Sequence, residues 1–353
     1  MLMFIMVLLL TLTACTPTTP PPATDDTIVL GRATWETGWF QAEVFTRLLE
    51  ELGYTVQDPD PAALEELGYT LDDQGALDPE AFYHATANGI IDMWPNGWFP
   101  LHNTYLEDAP VQGKVELVGY QVRAGALQGY LIDKATADEH DLTNLADLQD
   151  PAVAALFDSD DNGKADLIGC NSGWGCALTI EHHLQAYDLE ETVEQVQGDY
   201  DALMTETLAR YEEGDPILFY TWTPNWTIGK LSPGKDVVWI EVPFASLPRE
   251  QHELEELTTL DGLDGCVTDP CNIGWPPNDI RVAANDTTLT SNPQLRRLLE
   301  LVEIPLDDIS RQNASMFDGE NSAADIERHA EEWIAENREQ VDAWLAEAQA
   351  AAE

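Results

Sequence analysis

Apolar and polar positions change period repeatedly along the chain. Short runs rich in β-branched and aromatic residues, at Thr27–Gly31, Val115–Gly119, Gly129–Ile132, Ile217–Trp222, Val237–Val242 and Ile280–Ala284, predict strands. Between them lie stretches with helical spacing, including Phe40–Leu52, Leu178–Tyr187 and Met204–Glu212. Such alternation predicts an α/β fold. The last third ends in long acidic amphipathic segments where Ile326, Trp333, Ile334, Val341 and Trp344 recur at helical spacing, so these two tryptophans are expected in the core. The heptapeptide Leu49 to Thr55 recurs at Leu64 to Thr70 as a single local duplication, not a solenoid.

The N-terminus breaks this pattern. An apolar run from Met1 to Leu12 leads into Leu12-Thr13-Ala14-Cys15 and falls short of the roughly 20 apolar residues that span a bilayer. It reads as a secretory signal with a lipobox over residues 1–15, although no Lys or Arg precedes the run. Cys15 is the expected lipid-bearing residue, and the Pro-rich residues 16–26 have the composition of an extended tether. The protein is therefore expected outside the cytoplasm, anchored by lipid to the cell membrane on its periplasmic side or outer face.

Composition sets further bounds. With 353 residues, 44% of them hydrophobic, the chain can bury a sizeable core and is long enough for two lobes or domains. Sixteen Lys+Arg against 65 Asp+Glu leave a net charge of -49, which argues against nucleic acid or an anionic membrane surface as partner. The acids are scattered, as on a solvated surface adapted to salty surroundings, and by themselves identify no ligand. With Cys15 set aside, four cysteines form two close pairs, Cys170 with Cys176 and Cys266 with Cys271. In an exported protein both are expected as disulfides, and the absence of CxxC spacing argues against a shared metal site.

Three tryptophans sit among glycines and prolines: Trp98 in NGWFPLH, Trp174 in GCNSGWGC and Trp222 in YTWTPNW. Aromatics on turns face ligands more often than those on a periodic helix face, although each alone could simply fill a gap beside its turn. A Cys170–Cys176 bridge would close a tight loop that displays Trp174 just before a helix. The amides of Gly175, Cys176 and Ala177 would then point outward from the helix N-terminus, a place that suits a carboxylate. Indole faces attract a trimethylammonium group, which hydrogen bonds cannot satisfy. A tryptophan box beside an amide nest describes a zwitterion site.

Two other motifs carry less. Asp158-Ser159-Asp160-Asp161-Asn162-Gly163 opens like a calcium loop, with Asp158, Asp160 and Asn162 as candidate ligands. The twelfth position is Gly169 where a bidentate Glu is needed, and an ordinary Asp/Asn/Gly turn explains the segment as well. His182 and His183 are adjacent, point to different helix faces and lack HExxH spacing, so at least one is expected in solvent. The chain has no GxSxG, HExxH or Gly-rich phosphate loop, and no enzyme is expected.

WFPLH at 98–102, QGYLIDK at 128–134, the LFD to GWGC stretch across 156–176, YTWTP at 220–224, GWP at 274–276 and the stretch around 312–319 together resemble the ProX-type family of glycine betaine/proline betaine-binding proteins. The resemblance runs from about Ile28 to the C-terminus. It implies a two-lobed periplasmic-binding-protein fold (type II), each lobe a mixed sheet flanked by helices, with the ligand in the cleft between them. Residues 27–134 with 245–353 would form one lobe and 135–244 the other. It implies a tryptophan box of Trp98, Trp174 and Trp222, with carboxylate contacts from His102 and the amides of Gly175 and Cys176. The family's loop disulfide falls on Cys170–Cys176, whereas Cys266–Cys271 and the 57–80 segment look like additions remote from the motif residues. The implied function is capture of betaine-type osmoprotectants for an ABC permease and its ATPase, by a monomer without a cofactor. Choline, carnitine or a sensory role are the alternatives.

Overall fold

The structure is a computed structural model and describes residues 27–352; Cys15, the signal and the tether lie outside them. Among the described residues, twelve strands group into two main sheets and two small pairs. In the first sheet, β12 (Asn278–Asn285) runs antiparallel between β3 (Met93–Phe99) and β4 (Val115–Ala126). Strands β1 (Thr27–Val29) and β2 (Thr55–Gln57) pair in parallel, and a bridge from Leu30 to Met93 joins them to β3, which makes this layer mixed. The second sheet has the order β7-β6-β8-β5-β9, from β5 (Gln128–Asp133), β6 (Ala165–Ile168), β7 (Val193–Val196), β8 (Leu218–Trp222) and β9 (Val237–Ile240). It too is mixed, with β6 parallel to β7 and β8, and β5 antiparallel to β8 and β9. The pair β10 (Thr259–Leu260) and β11 (Cys271–Asn272) completes the set.

Sheet membership departs from the division expected at residues 134 and 244. β5 belongs to the second sheet, so the chain leaves the first at Leu127. The Cys266–Cys271 segment docks on β9, where Trp239 donates to Gly265 and Val267 donates to Trp239. The chain rejoins the first sheet at β12. The halves also meet at a clasp, where Trp226 of the helix Trp226–Lys230 stacks on Phe317 with centroids 3.9 Å apart. Beside it, Lys230 pairs with Asp318 at 2.6 Å.

Helices form where the spacing predicted them. The helix Trp39–Glu51 buries Phe40, Val44, Phe45, Leu48 and Leu49, one face at helical spacing. The duplicated heptapeptide is a duplicated helix stop. Gly53 and Gly68 take φ of 97° and 89°, and Tyr54 and Tyr69 donate back to Leu49 and Leu64. At the C-terminus, the helices Ala323–Glu336 and Arg338–Ala350 bury Trp333 and Trp344 as expected. Among the described residues, no helix is long and apolar enough to cross a membrane.

The strand that matters most for the site was hidden by its composition. β3 reads MWPNGWF, and all seven positions are buried, so neither alternation nor β-branching marks it. Its register against β12 slips between Gly97 and Trp94, giving β3 one extra residue. Pro95, which has no N–H for the ladder, sits in that bulge.

Candidate functional site

All six residues expected at a ligand site, Trp98, His102, Trp174, Gly175, Cys176 and Trp222, line one cavity with Trp35, Leu101, Gln128 and Tyr220. The three expected tryptophans occupy different settings. Trp98 lies on β3 rather than on a turn, Trp174 is the N-cap of the helix Gly175–Ala186, and Trp222 ends β8. Cis peptides, Phe99–Pro100 and Thr223–Pro224, follow one residue after Trp98 and Trp222.

Trp35 is a fourth wall that sequence reasoning missed. Its ring meets Trp174 edge-on at 5.2 Å, and Trp174 meets Trp222 edge-on at 5.9 Å. Asn96 Oδ1 accepts from the indole of Trp35 at 2.6 Å and from that of Trp98 at 3.0 Å. The Trp174 indole donates to Thr34 Oγ1 at 2.8 Å, and Thr34 in turn donates to Asp78 at 3.2 Å. Asp78 lies within the 57–80 segment, which therefore reaches the neighbours of a motif residue, contrary to the expectation that it stays remote. Trp35 lies in the loop between β1 and the helix Trp39–Glu51, and no motif in the sequence marks it.

His102 is walled by aromatic rings. Trp94 stacks on it at 5.6 Å, and Trp35, Tyr83, Phe99 and Tyr105 meet it edge-on. This burial strips its hydration and lowers its pKa to about 3, so it is neutral. The Trp98 amide donates to Nδ1 at 3.2 Å, and the Tyr83 hydroxyl lies 3.1 Å from the same atom. A nitrogen that accepts carries no proton, so the proton sits on Nε2. Nε2 has no partner among the described residues.

The Cys170–Cys176 disulfide is formed and closes the loop before the helix Gly175–Ala186. Gly175 and Cys176, as its first residues, have no acceptor one turn back. Ala177 differs from expectation, since its amide donates to the Trp174 carbonyl at 3.1 Å and is spent. A Cβ on Gly175 would come within 2.8 Å of Leu101 Cγ, so glycine lets the helix end approach the cavity wall.

With His102 neutral, no lining side chain carries a charge at neutral pH, in a chain of net charge -49. The cavity lining combines four indoles with uncharged donors.

The remaining candidates lie elsewhere. Cys266–Cys271 is also bridged. Asp158, Asp160 and Asp166 bring carboxylate oxygens within 4.8 Å of one another. Those oxygens accept from the amides of Asn162, Gly163 and Ser159, and Asn162 Oδ1 accepts from Lys164, as in an Asp/Asn turn. His183 is wholly buried between the Tyr130 hydroxyl and the Ser246 carbonyl, each at 2.9 Å, while His182 is half-exposed and bonds Ser246 Oγ.

Residues 60–336 match the substrate binding domain of the ABC-type glycine betaine transport system. The chain belongs to that family. The family binds a transported solute and is not an enzyme family. Over 312 residues the chain is 43% identical to the glycine betaine/proline betaine-binding periplasmic protein of Escherichia coli (strain K12), covering 88% of this chain and 87% of the relative. It is 44% identical over 313 residues to the glycine betaine-binding periplasmic protein OusX of Dickeya dadantii (strain 3937), covering 89% and 87%. Its fold matches an ABC-transporter choline binding protein in complex with choline, with TM-score 0.69, 16% identity, and 93% and 96% of the two chains covered. It also matches lactococcal OpuAC in its closed-liganded conformation complexed with glycine betaine, with TM-score 0.64, 17% identity, and 90% and 99% covered. The family thus has the two-lobed α/β fold that the sequence led us to expect.

Proposed function

We propose that this chain captures glycine betaine or proline betaine and delivers it to an ABC permease and its ATPase. The trimethylammonium group would lie against Trp35, Trp98, Trp174 and Trp222, and the carboxylate against the Gly175 and Cys176 amides and His102 Nε2–H. The observation that carries the reading is a cavity lined by four indoles and a helix N-terminus without a charged side chain. A carboxylate there would attract the ligand's cation but repel its anion. Indole faces avoid that conflict, each contributing about 0.5–2 kcal/mol according to desolvation. Choline lacks the carboxylate that the uncharged donors are suited to hold.

The lobes, divided where the sheets divide, would close over the ligand, and the permease would recognise the closed form. The protein would act as a monomer on the extracytoplasmic side of the membrane, tethered through lipid on Cys15. Calorimetric titration with glycine betaine, proline betaine, choline and an uncharged isostere tests the reading. The betaines should bind most tightly and the isostere not at all; absence of binding by both betaines would overturn it.

A further inference from the structure

The cavity contains a polar side chain that the betaine reading leaves without a task. Gln128 opens β5, is fully buried and lines the cavity. In the antiparallel pair of β5 and β8 it stands opposite Trp222, so the two side chains share a sheet face. Tyr220, two residues earlier on β8, shares that face as well. Its hydroxyl donates to Gln128 Oε1 at 2.7 Å, which uses the amide oxygen and sets the direction of the amide.

The other end of the amide is unspent. Gln128 Nε2 is buried and has no partner among the described residues. A buried amide nitrogen without an acceptor is disfavoured, because it has lost water and gained nothing. The cavity side chains offer it little, since His102 Nδ1 already accepts from the Trp98 amide and none of the lining residues is a carboxylate. The acceptor has to arrive with the ligand. A carboxylate has about four lone-pair sites. The Gly175 amide, the Cys176 amide and His102 Nε2–H account for three.

We infer that Gln128 is a specificity-determining residue whose Nε2–H group donates to the fourth site on the ligand carboxylate, favouring carboxylated quaternary ammonium compounds over choline. The inference rests on the betaine reading of the cavity. A choline hydroxyl has too few lone pairs for this set of donors, and a site built to hydrogen-bond a ligand group discriminates against an analogue lacking it.

The test is calorimetric titration of the mature protein, its Gln128→Glu and Gln128→Met variants, with glycine betaine and with choline. Gln128→Glu keeps an acceptor for Tyr220 and turns the donor into a repelling oxygen. The betaine-to-choline affinity ratio should then fall by about a hundredfold. Gln128→Met removes the donor at similar length, and the ratio should fall by about tenfold. An unchanged ratio in the folded variants, or tighter betaine binding by Gln128→Glu, would overturn the inference, the latter by putting the amide oxygen toward the ligand. If only one variant folds, its ratio decides. A wild-type protein silent toward both betaines would instead defeat the reading on which this one stands.

Discussion

Trp35 and Trp98, 63 residues apart in sequence, donate their indole N–H groups to one atom, Asn96 Oδ1, at 2.6 and 3.0 Å. Asn96 thus fixes the angle between two walls of the cavity without lining it. Asn96→Ala should lower unfolding free energy by about 1–3 kcal/mol, the cost of two buried donors left unpaired. Betaine affinity should fall by about tenfold or more, through misplaced indole faces. Denaturant melts and calorimetry check both; unaltered affinity would mean that packing alone orients the two rings.

Trp35 should matter as much as the tryptophans that the sequence marked. Trp35→Ala is expected to reduce betaine affinity as far as Trp98→Ala or Trp222→Ala, each abolishing most binding. Fluorescence or calorimetric titration of the folded variants measures this. Full affinity in Trp35→Ala would reduce the box to three walls.

Opening the Cys170–Cys176 bridge should affect binding more than folding. A loop closed over a sequence separation of 6 contributes only roughly 2 kcal/mol through chain entropy. The same bridge holds the Gly175 and Cys176 amides in place. The paired Cys170→Ser and Cys176→Ser variant should stay folded at room temperature while losing well over tenfold in affinity. Equal affinity with and without the bridge would show that the helix N-terminus is ordered by other contacts.

Glu36 gives a pH dependence with a definite sign. Burial, followed by the nearby carboxylates of Asp201 and Asp199, raises its pKa to about 6. The folded protein therefore holds this proton more tightly than the unfolded chain does. Its stabilising contribution is complete below the unfolded value near 4.5 and is lost as pH rises through about 6. Glu36→Gln, which keeps the shape without the charge, should raise the melting temperature at pH 8 and make little difference at pH 4. A gain of equal size at both pH values would remove the carboxylate repulsion from the account.

Much of this site was legible because its chemistry is local. The loop from Cys170 to Cys176 carries its disulfide, its tryptophan and its helix start within one stretch, and YTWTP ends a strand that β-rich composition had already announced. β3 escaped because a strand covered on both faces has no alternation, and Pro95 and Gly97 read as a turn. Trp35 and Gln128 escaped for another reason. Neither carries a ligand signal of its own: Trp35 joins the wall through its bond to Asn96 on β3 and its contact with Trp174, and Gln128 through the pairing of β5 with β8. The spent amide of Ala177 could likewise be seen only once the Trp174 carbonyl had a position.

The clasp between Trp226 and Phe317, reinforced by Lys230 and Asp318, stands outside the cavity wall. It joins the halves of the molecule without contributing to the cavity lining. How long a solute stays trapped is then governed partly by contacts that the solute never touches. Phe317→Ala would hasten both entry and escape while leaving the choice of solute as it was, so residence time and selectivity can be tuned by separate sets of residues.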